Sequence, residues 1–146
     1  MQSKIKIKKL SEDIQTPKYE TSGAVGFDLA ASEDKEIMPG EIALISTGLI
    51  VEVPNGYMLM AVSRSSTPKK KGLLKPHGVG IIDQDYCGPS DELKIQVYNF
   101  TKEPVKVSKG DRIAQGIFVR VDRFAFDEVD EIRKEDRGGF GSTEGN

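Results

Sequence analysis

Cysteine and histidine are nearly absent from this chain of 146 residues, which has one of each, Cys87 and His77. A single cysteine cannot form an internal disulfide. One cysteine with one histidine also supplies too few soft ligands for zinc, since zinc sites usually combine several of these side chains. Zinc hydrolases and zinc-dependent deaminases are therefore excluded.

Long hydrophobic runs are also missing. No stretch approaches the roughly 20 apolar residues that a membrane span needs, and the start of the chain lacks the apolar core of a signal peptide. We therefore expect a cytoplasmic protein with no membrane partner. The formal net charge of −2 argues against a broad basic surface for nucleic acid. A small anion held by a few local arginines remains compatible with this charge.

Dense turn signals divide the chain into strand-length runs, and the length suits one domain. Apolar residues alternate with polar ones in two such runs: Ile5 and Ile7; Leu93, Ile95 and Val97. A third run, which contains Ile113, Ile117 and Val119, is rich in strand-forming residues. Many short strands with frequent turns predict an all-β fold of the sandwich, barrel or jelly-roll type.

One short helix is predicted, with Thr67 as its cap, Pro68 in the first helical position and Gly72 at its end. Beyond it, the predicted division is a β-rich domain over residues 1–132 and a flexible, glycine-rich segment over residues 133–146.

The run from Gly80 to Gly88 places two acids and an aromatic ring on a predicted tight β-hairpin. Asp83 follows the apolar pair Ile81-Ile82, which should limit the hydration of its carboxylate and suit it to act as a general base toward water. The alternative is an aspartate that only bonds backbone amides of the turn. Tyr86 either packs against a sugar or is an ordinary cross-strand aromatic.

A second group of candidates suits phosphate. Arg64, Ser65 and Ser66 precede the predicted helix and offer a guanidinium and hydroxyl groups, although a surface arginine beside a capping serine would look the same. Gln115 adds an amide donor. Asp28 is either a site acid or a strand-end aspartate bonded to nearby backbone.

Five segments carry a family resemblance: residues 24–29, 63–66, 80–88, 110–115 and 137–143. In this order and spacing they resemble the five motifs of the trimeric dUTP diphosphatase (dUTPase) family. The resemblance implies a jelly-roll-like subunit of a homotrimer with shared active sites. It also implies hydrolysis of dUTP to dUMP and pyrophosphate, with Mg²⁺ as cofactor.

The resemblance also implies roles for single residues. Asp83 matches the aspartate that activates water, and Tyr86 matches the tyrosine that leaves no room for a 2′-hydroxyl. Gln115 matches a residue whose amide donates a hydrogen bond to a phosphate oxygen. Asp28 matches the acid that helps to hold hydrated Mg²⁺ through water, the ion being bound mainly by the substrate phosphates. Base identity would be read by backbone groups of Gly80, Ile81 and Ile82.

The tail would close over the nucleotide as a lid, with Phe140 stacking on uracil and the other residues reaching the phosphates. The lid residues are Arg137, Phe140, Gly141, Ser142 and Thr143. His77 and Lys94 flank the site, where each either contacts the nucleotide or faces solvent.

The segment from Gly88 to Glu92 is longer than the return of the family hairpin, which leaves the geometry of the pocket mouth open. The related zinc-free dCTP deaminases share the fold and an Arg-Ser-Ser motif. They rely on a glutamate where this chain has Gln96, and glutamine cannot serve as a base. Deamination, alone or combined with dUTP hydrolysis, is therefore disfavoured and is kept only as one alternative. A non-catalytic nucleotide-binding protein is the other.

Overall fold

The computed structural model describes residues 3–141, which form short β-strands and one short helix. The strands are β1 (Ile7–Lys9), β2 (Phe27–Ala30), β3 (Lys35–Ile37), β4 (Ile42–Ser46), β5 (Leu49–Val51), β6 (Tyr57–Val62), β7 (Leu73–Leu74), β8 (Gly80–Ile82), β9 (Lys94–Asn99), β10 (Val105–Val107) and β11 (Arg112–Arg120). The helix, α1, spans Thr67–Lys71. The predicted all-β class is confirmed.

The strands form two larger antiparallel sheets and two antiparallel pairs. The four-stranded sheet has the order β2-β11-β6-β8, and the three-stranded sheet has the order β4-β9-β7. The pairs are β1-β5 and β3-β10. Most neighbours in these sheets are far apart in sequence, as in a jelly roll.

The core lies between the inward faces of these sheets. Strand alternation directs Leu29 and Leu59 inward from the four-stranded sheet, and Ile45, Ile95 and Val97 inward from the three-stranded sheet. Each fully buried Leu or Ile of this kind contributes about 1.5–3 kcal/mol to stability. The core thus fixes the sheets on which the candidate site residues stand.

Helix α1 begins one residue earlier than predicted. Ser66, not Thr67, occupies the N-cap, because its carbonyl already accepts the first helical bond from the Lys70 N–H at 2.9 Å. The Thr67 hydroxyl is buried instead and has no hydrogen-bond partner among the described residues. The end is as predicted, since Gly72 has the left-handed φ of 68° that stops the helix.

The predicted β-hairpin at residues 80–88 is wrong. β8 pairs with β6, whereas β9 pairs with β4 and β7, so the two strands flanking the run belong to different sheets. Between them, the Tyr86 N–H donates to the Asp83 carbonyl at 3.3 Å and closes a turn. The sequence placed the turn correctly but not the partners of its flanking strands.

The described residues after β11 form neither helix nor strand. Large apolar side chains in this extension are exposed, among them Phe124, Phe126, Ile132 and Phe140. The extension begins at residue 121, ahead of the predicted boundary at 132, and the division into domain and lid stays a prediction. The described part of the chain contains no helix with the length and hydrophobicity that a membrane span requires.

Candidate active site

A cavity of about 440 Å³ lies beside β8 and the start of β9. Seven of the predicted site residues line it: His77, Gly80, Ile81, Ile82, Asp83, Tyr86 and Lys94. Gln96, the residue that distinguishes this chain from the deaminases, also lines it. We call this space the Asp83 cavity.

Asp83 stands at the end of β8 with its carboxylate exposed. The prediction that apolar neighbours would limit its hydration is wrong for the single chain, because only Ile82 is buried while Ile81 is 63% exposed. Strand alternation turns these two side chains to opposite faces. Within residues 3–141 the carboxylate accepts no hydrogen bond, so the alternative of a turn aspartate bonded to backbone amides has no support.

Tyr86 follows the turn and presents its ring to the cavity. Its hydroxyl donates to the backbone carbonyl of Glu92 at 3.0 Å. Tyr86 lies outside the strands, so it is not the cross-strand aromatic of the alternative interpretation.

The residues between Tyr86 and Glu92 fold into a turn of their own. The Gly88 N–H donates to Oδ2 of Asp91 at 2.7 Å, and the Asp91 N–H donates to the Gly88 carbonyl at 3.1 Å. This segment is therefore self-contained. The Tyr86 to Glu92 bond spans it and ties its two ends together.

Sequence reasoning missed Lys75 and gave Glu92 no role, yet both line the Asp83 cavity. Burial lowers the pKa of the Lys75 amine. Its Nζ lies 3.5 Å from the position that a Cβ on Gly80 would take. Lys75 belongs to no motif, and only its position in the short run between Gly72 and Gly80 could have drawn attention to it.

Three of the second group of candidates, Asp28, Arg64 and Gln115, lie together with Arg112, and we call these four residues the arginine cluster. Oδ1 of Asp28 lies 2.7 Å from Nε of Arg64, and Oδ2 lies 3.2 Å from Nη1 of Arg112. The Gln115 amide donates to the Ser63 carbonyl at 3.2 Å. The guanidinium and amide groups of this cluster can donate to an anion.

Strand register explains the cluster. Gln115 of β11 lies opposite Asp28 of β2 on one side and Val62 of β6 on the other, so Asp28 and Gln115 share a face. Gly26 leaves room for the Gln115 amide, because a Cβ there would lie 2.7 Å from Oε1. Ser65 is exposed beside Arg64, and Ser66 caps helix α1.

The two groups are far apart in one chain. Ile82 pairs with Leu59, so the next residue, Asp83, lies beside Met58 near the start of β6. Arg64 lies beyond the other end of this strand. Met58 to Val62 alone spans about 13 Å of strand. A single chain therefore holds Asp83 and Arg64 well apart.

Asp28 is suited to hold Mg²⁺ through water molecules and not by direct contact. Both of its oxygens face guanidinium groups, which oppose a second cation in direct contact. Among residues 3–141 no cluster of three or more acidic, histidine or cysteine side chains could hold a metal. A hydrated ion carried mainly by a ligand's phosphates fits this single carboxylate.

Three of the predicted lid residues, Arg137, Phe140 and Gly141, are exposed. The Phe140 side chain contributes no buried surface to either group. Ser142 and Thr143 lie outside the described residues. The lid itself stays a prediction.

Comparison with known proteins places this geometry in a family. The family model described as dUTPase matches residues 12–144, a range that contains all five segments noted in the sequence. The deoxyuridine 5′-triphosphate nucleotidohydrolase of Thermobifida fusca is 39% identical over 145 residues, covering 97% of this chain and 79% of that protein. The chain belongs to the dUTPase family.

Solved structures of the dUTPase family share the fold. The crystal structure of dUTPase from Streptococcus mutans is 35% identical, with a TM-score of 0.75 over 82% of this chain and 98% of that one. The Staphylococcus bacteriophage 80alpha dUTPase with dUPNHPP is 26% identical, with a TM-score of 0.83 over 97% and 98%.

Proposed function

We propose that this chain hydrolyses dUTP to dUMP and pyrophosphate. The observation that carries the proposal is the Asp83 cavity, where an exposed carboxylate and the Tyr86 ring line one space in a member of the dUTPase family. The phage relative that shares the fold was solved with dUPNHPP, whose name describes a dUTP-like ligand.

Asp83 is the proposed general base. Its carboxylate takes a proton from a water molecule as that water attacks the α-phosphorus. The bond from the α-phosphorus to the oxygen that bridges to the β-phosphorus breaks, and pyrophosphate leaves with the electron pair. The exposure of Asp83 and its lack of hydrogen-bond partners in the described chain leave both oxygens available to water.

The Asp83 cavity would hold the nucleoside. Backbone groups of Gly80, Ile81 and Ile82 read uracil, and the Tyr86 ring excludes a 2′-hydroxyl by crowding. Lys94 and His77 stand at the edge of this cavity, where they flank the ligand.

The arginine cluster would hold the triphosphate. Arg64 and Gln115 donate to phosphate oxygens, as do the hydroxyls of Ser65 and Ser66, and together they stabilise the charge that develops during attack. Arg64 must then exchange its bond to Asp28 for one to phosphate, which frees Asp28 to hold the waters of Mg²⁺. When bound, this ion neutralises phosphate charge.

A shared site in a homotrimer would unite the two groups. One subunit supplies Asp83 and Tyr86, and a neighbour supplies the arginine cluster, which resolves their separation along β6. The outward face of the four-stranded sheet supports this assembly, because it presents an apolar surface that a second copy could cover. By strand alternation and register, this surface consists of Met58, Met60, Val62, Ile81, Ile117 and Val119.

The tail would complete the site. Phe140 is fully exposed in a segment rich in glycine, and stacking on uracil would bury its ring. Arg137, Gly141, Ser142 and Thr143 would then reach the phosphates. The cytoplasmic location and the absence of nucleic-acid and membrane partners stay predictions from the sequence.

Product analysis tests the proposal directly. Purified protein is incubated separately with dUTP, dCTP, UTP and dTTP, with Mg²⁺ and then with a chelator, and products are separated by ion exchange. We expect dUMP and pyrophosphate from dUTP alone, with loss of turnover in the chelator. In ¹⁸O-labelled water the label should enter dUMP, since attack is at the α-phosphorus.

Other products would overturn the proposal. Conversion of dCTP to dUTP or dUMP would indicate a deaminase despite Gln96. Saturable dUTP binding without any product would indicate a non-catalytic binding protein. Label found in pyrophosphate would contradict attack at the α-phosphorus.

A further inference from the structure

We propose that Glu92 is a positioning residue for the sugar gate, holding Tyr86 in place through its own backbone carbonyl. The inference rests on the proposed function, in which Tyr86 separates dUTP from UTP. It concerns the lengthened return after the turn, where this chain departs from the pattern of its family.

The Glu92 carboxylate is an anchor rather than a solvated charge. Its side chain is only 15% exposed. Oε1 accepts from the buried Gly48 N–H at 2.9 Å, and Oε2 lies 3.5 Å from the Ser46 hydroxyl and 3.9 Å from Nζ of Lys94. Residue 92 is thereby fastened to the connection between β4 and β5, inside the body of the fold.

The backbone carbonyl of Glu92 connects this anchored residue to Tyr86. It accepts from the Tyr86 hydroxyl at 3.0 Å, while residues 88–91 form a separate turn between the two. The far end of the ring is therefore fixed to a backbone point that two bonds hold: the Glu92 carboxylate to Gly48, and the N–H of Leu93 in the same peptide unit, which donates to the Leu49 carbonyl at 2.8 Å. The ring edge that faces the cavity is fixed with it.

A gate that works by crowding needs a rigid wall. A ring that can swing aside accepts the extra hydroxyl of UTP more readily, whereas dUTP fits the site with or without the movement. Loosening the anchor should therefore change the preference between the two nucleotides more than it changes turnover of dUTP.

The test compares kcat/KM for dUTP with kcat/KM for UTP in Glu92→Ala and Glu92→Gln. Alanine removes the acceptor for Gly48, and we expect the preference for dUTP to fall about fivefold or more, the effect of losing one ordinary hydrogen bond. Glutamine keeps a carbonyl oxygen for Gly48 and should restore the preference to within about twofold, because the bond rather than the charge matters. Glu52→Ala, which removes an exposed ion pair with Lys6, is the control and should leave the preference unchanged.

Tyr86→Phe tests the other end of the same link without altering Glu92. It keeps the ring, loses the hydroxyl, and should reduce the preference as Glu92→Ala does. The double variant should fall no further than either single variant, since both break one connection. Thermal melts of every variant confirm that it is folded.

An unchanged preference for dUTP in folded Glu92→Ala would overturn the inference. An unchanged preference in Tyr86→Phe would also overturn it, and this second test remains valid if Glu92→Ala does not fold. Additive losses in the double variant would also overturn it. These outcomes are distinct from failure of the proposed function, in which the unaltered protein itself would not hydrolyse dUTP.

Discussion

Side chains of the arginine cluster already have ion-pair or hydrogen-bond partners in the described chain. Asp28 lies between Arg64 and Arg112, and the Gln115 amide bonds the Ser63 carbonyl. This pairing keeps the groups in place, and a phosphate can form the same charge-assisted bonds to the guanidinium groups. Gly26 maintains the position of Gln115 by lacking a side chain.

Gly26→Ala should therefore affect activity more than stability. The new Cβ would lie 2.7 Å from Oε1 of Gln115, and the flexible amide end must move away. We expect kcat/KM for dUTP to fall about tenfold, because Gln115 would donate less well to the charge that develops on the phosphate. The melting temperature should change little. Gly23→Ala meets nothing within 4 Å and is the matched control. Equal activity of the two variants would contradict the assigned position of Gln115.

The sequence led to Asp83, Tyr86 and Gln115 because each belongs to a segment that resembles a family motif. Lys75 was missed and Glu92 received no role because their positions depend on tertiary contacts. The Glu92 carboxylate bonds the N–H of Gly48, which lies 44 residues away in the chain. No local pattern encodes such a contact.

Strands themselves were easier to predict than their partners. Alternation marked β9 correctly, and richness in strand-forming residues marked β11; Ile95 and Val97 of β9 and Ile113 of β11 are buried. The tight hairpin failed because β8 pairs with β6, which precedes it by a helix and a short strand. Local periodicity states that a segment is extended, but pairing is decided by the packing of the whole core.

Helix α1 is joined to the turn before β11 by one ion pair. Nζ of Lys71 lies 3.0 Å from Oδ2 of Asp111, which also accepts from the Ser108 N–H at 3.0 Å. The Ser108 N–H, followed by Lys71, lowers the pKa of Asp111 below its ordinary value of 3.8. A lowered pKa means that the folded state favours the charged carboxylate, so its stabilisation is present above pH 3.8 and is lost as the pH falls through the lowered pKa.

Asp111→Ala should consequently lower the free energy of unfolding by about 1 kcal/mol at pH 7, a value kept small by partial exposure of the pair. The difference from the unaltered protein should narrow as the pH falls below 3.8. Urea unfolding at a series of pH values measures this difference in the free energy of unfolding. Asp127→Ala, at an exposed position, is the control. A difference that stays constant across this range would rule out the ionised carboxylate as its source.

In the proposed homotrimer, neighbouring subunits would bring together the two groups of residues that one chain keeps apart. Asp83 and the arginine cluster lie toward opposite ends of β6, and the outward apolar face of the four-stranded sheet offers a surface for another copy. A closed homotrimer gives three equivalent contacts and three equivalent shared sites.

Mixed assemblies test the shared site. Asp83→Asn and Arg64→Ala should each have little activity alone. Co-refolding equal amounts should restore about a quarter of the unaltered activity, since random mixing in a symmetric oligomer leaves that share of sites with both residues intact. Light scattering confirms the oligomer. Mixed oligomers with no more activity than the separate variants would place both residues in the site of one subunit.

Deletion of residues 137–146 tests the lid. The residues of this segment that the structure describes are exposed, so the melting temperature should not change. Turnover of dUTP should fall about 100-fold, as expected when groups that position a substrate are lost. Removal of residues 144–146 alone is the control and should have little effect. Full activity of the longer deletion would refute the lid.

The most direct test of the account is single-turnover hydrolysis of dUTP by Asp83→Asn, measured beside equilibrium binding of dUTP. We expect the rate to fall about 100- to 10,000-fold, as for loss of a general base, while binding changes little. Asp122→Asn makes the same charge change beside a cavity that Asp83 also lines, and its rate should stay near that of the unaltered protein. A folded Asp83→Asn variant that hydrolyses dUTP at nearly the normal rate would contradict the account.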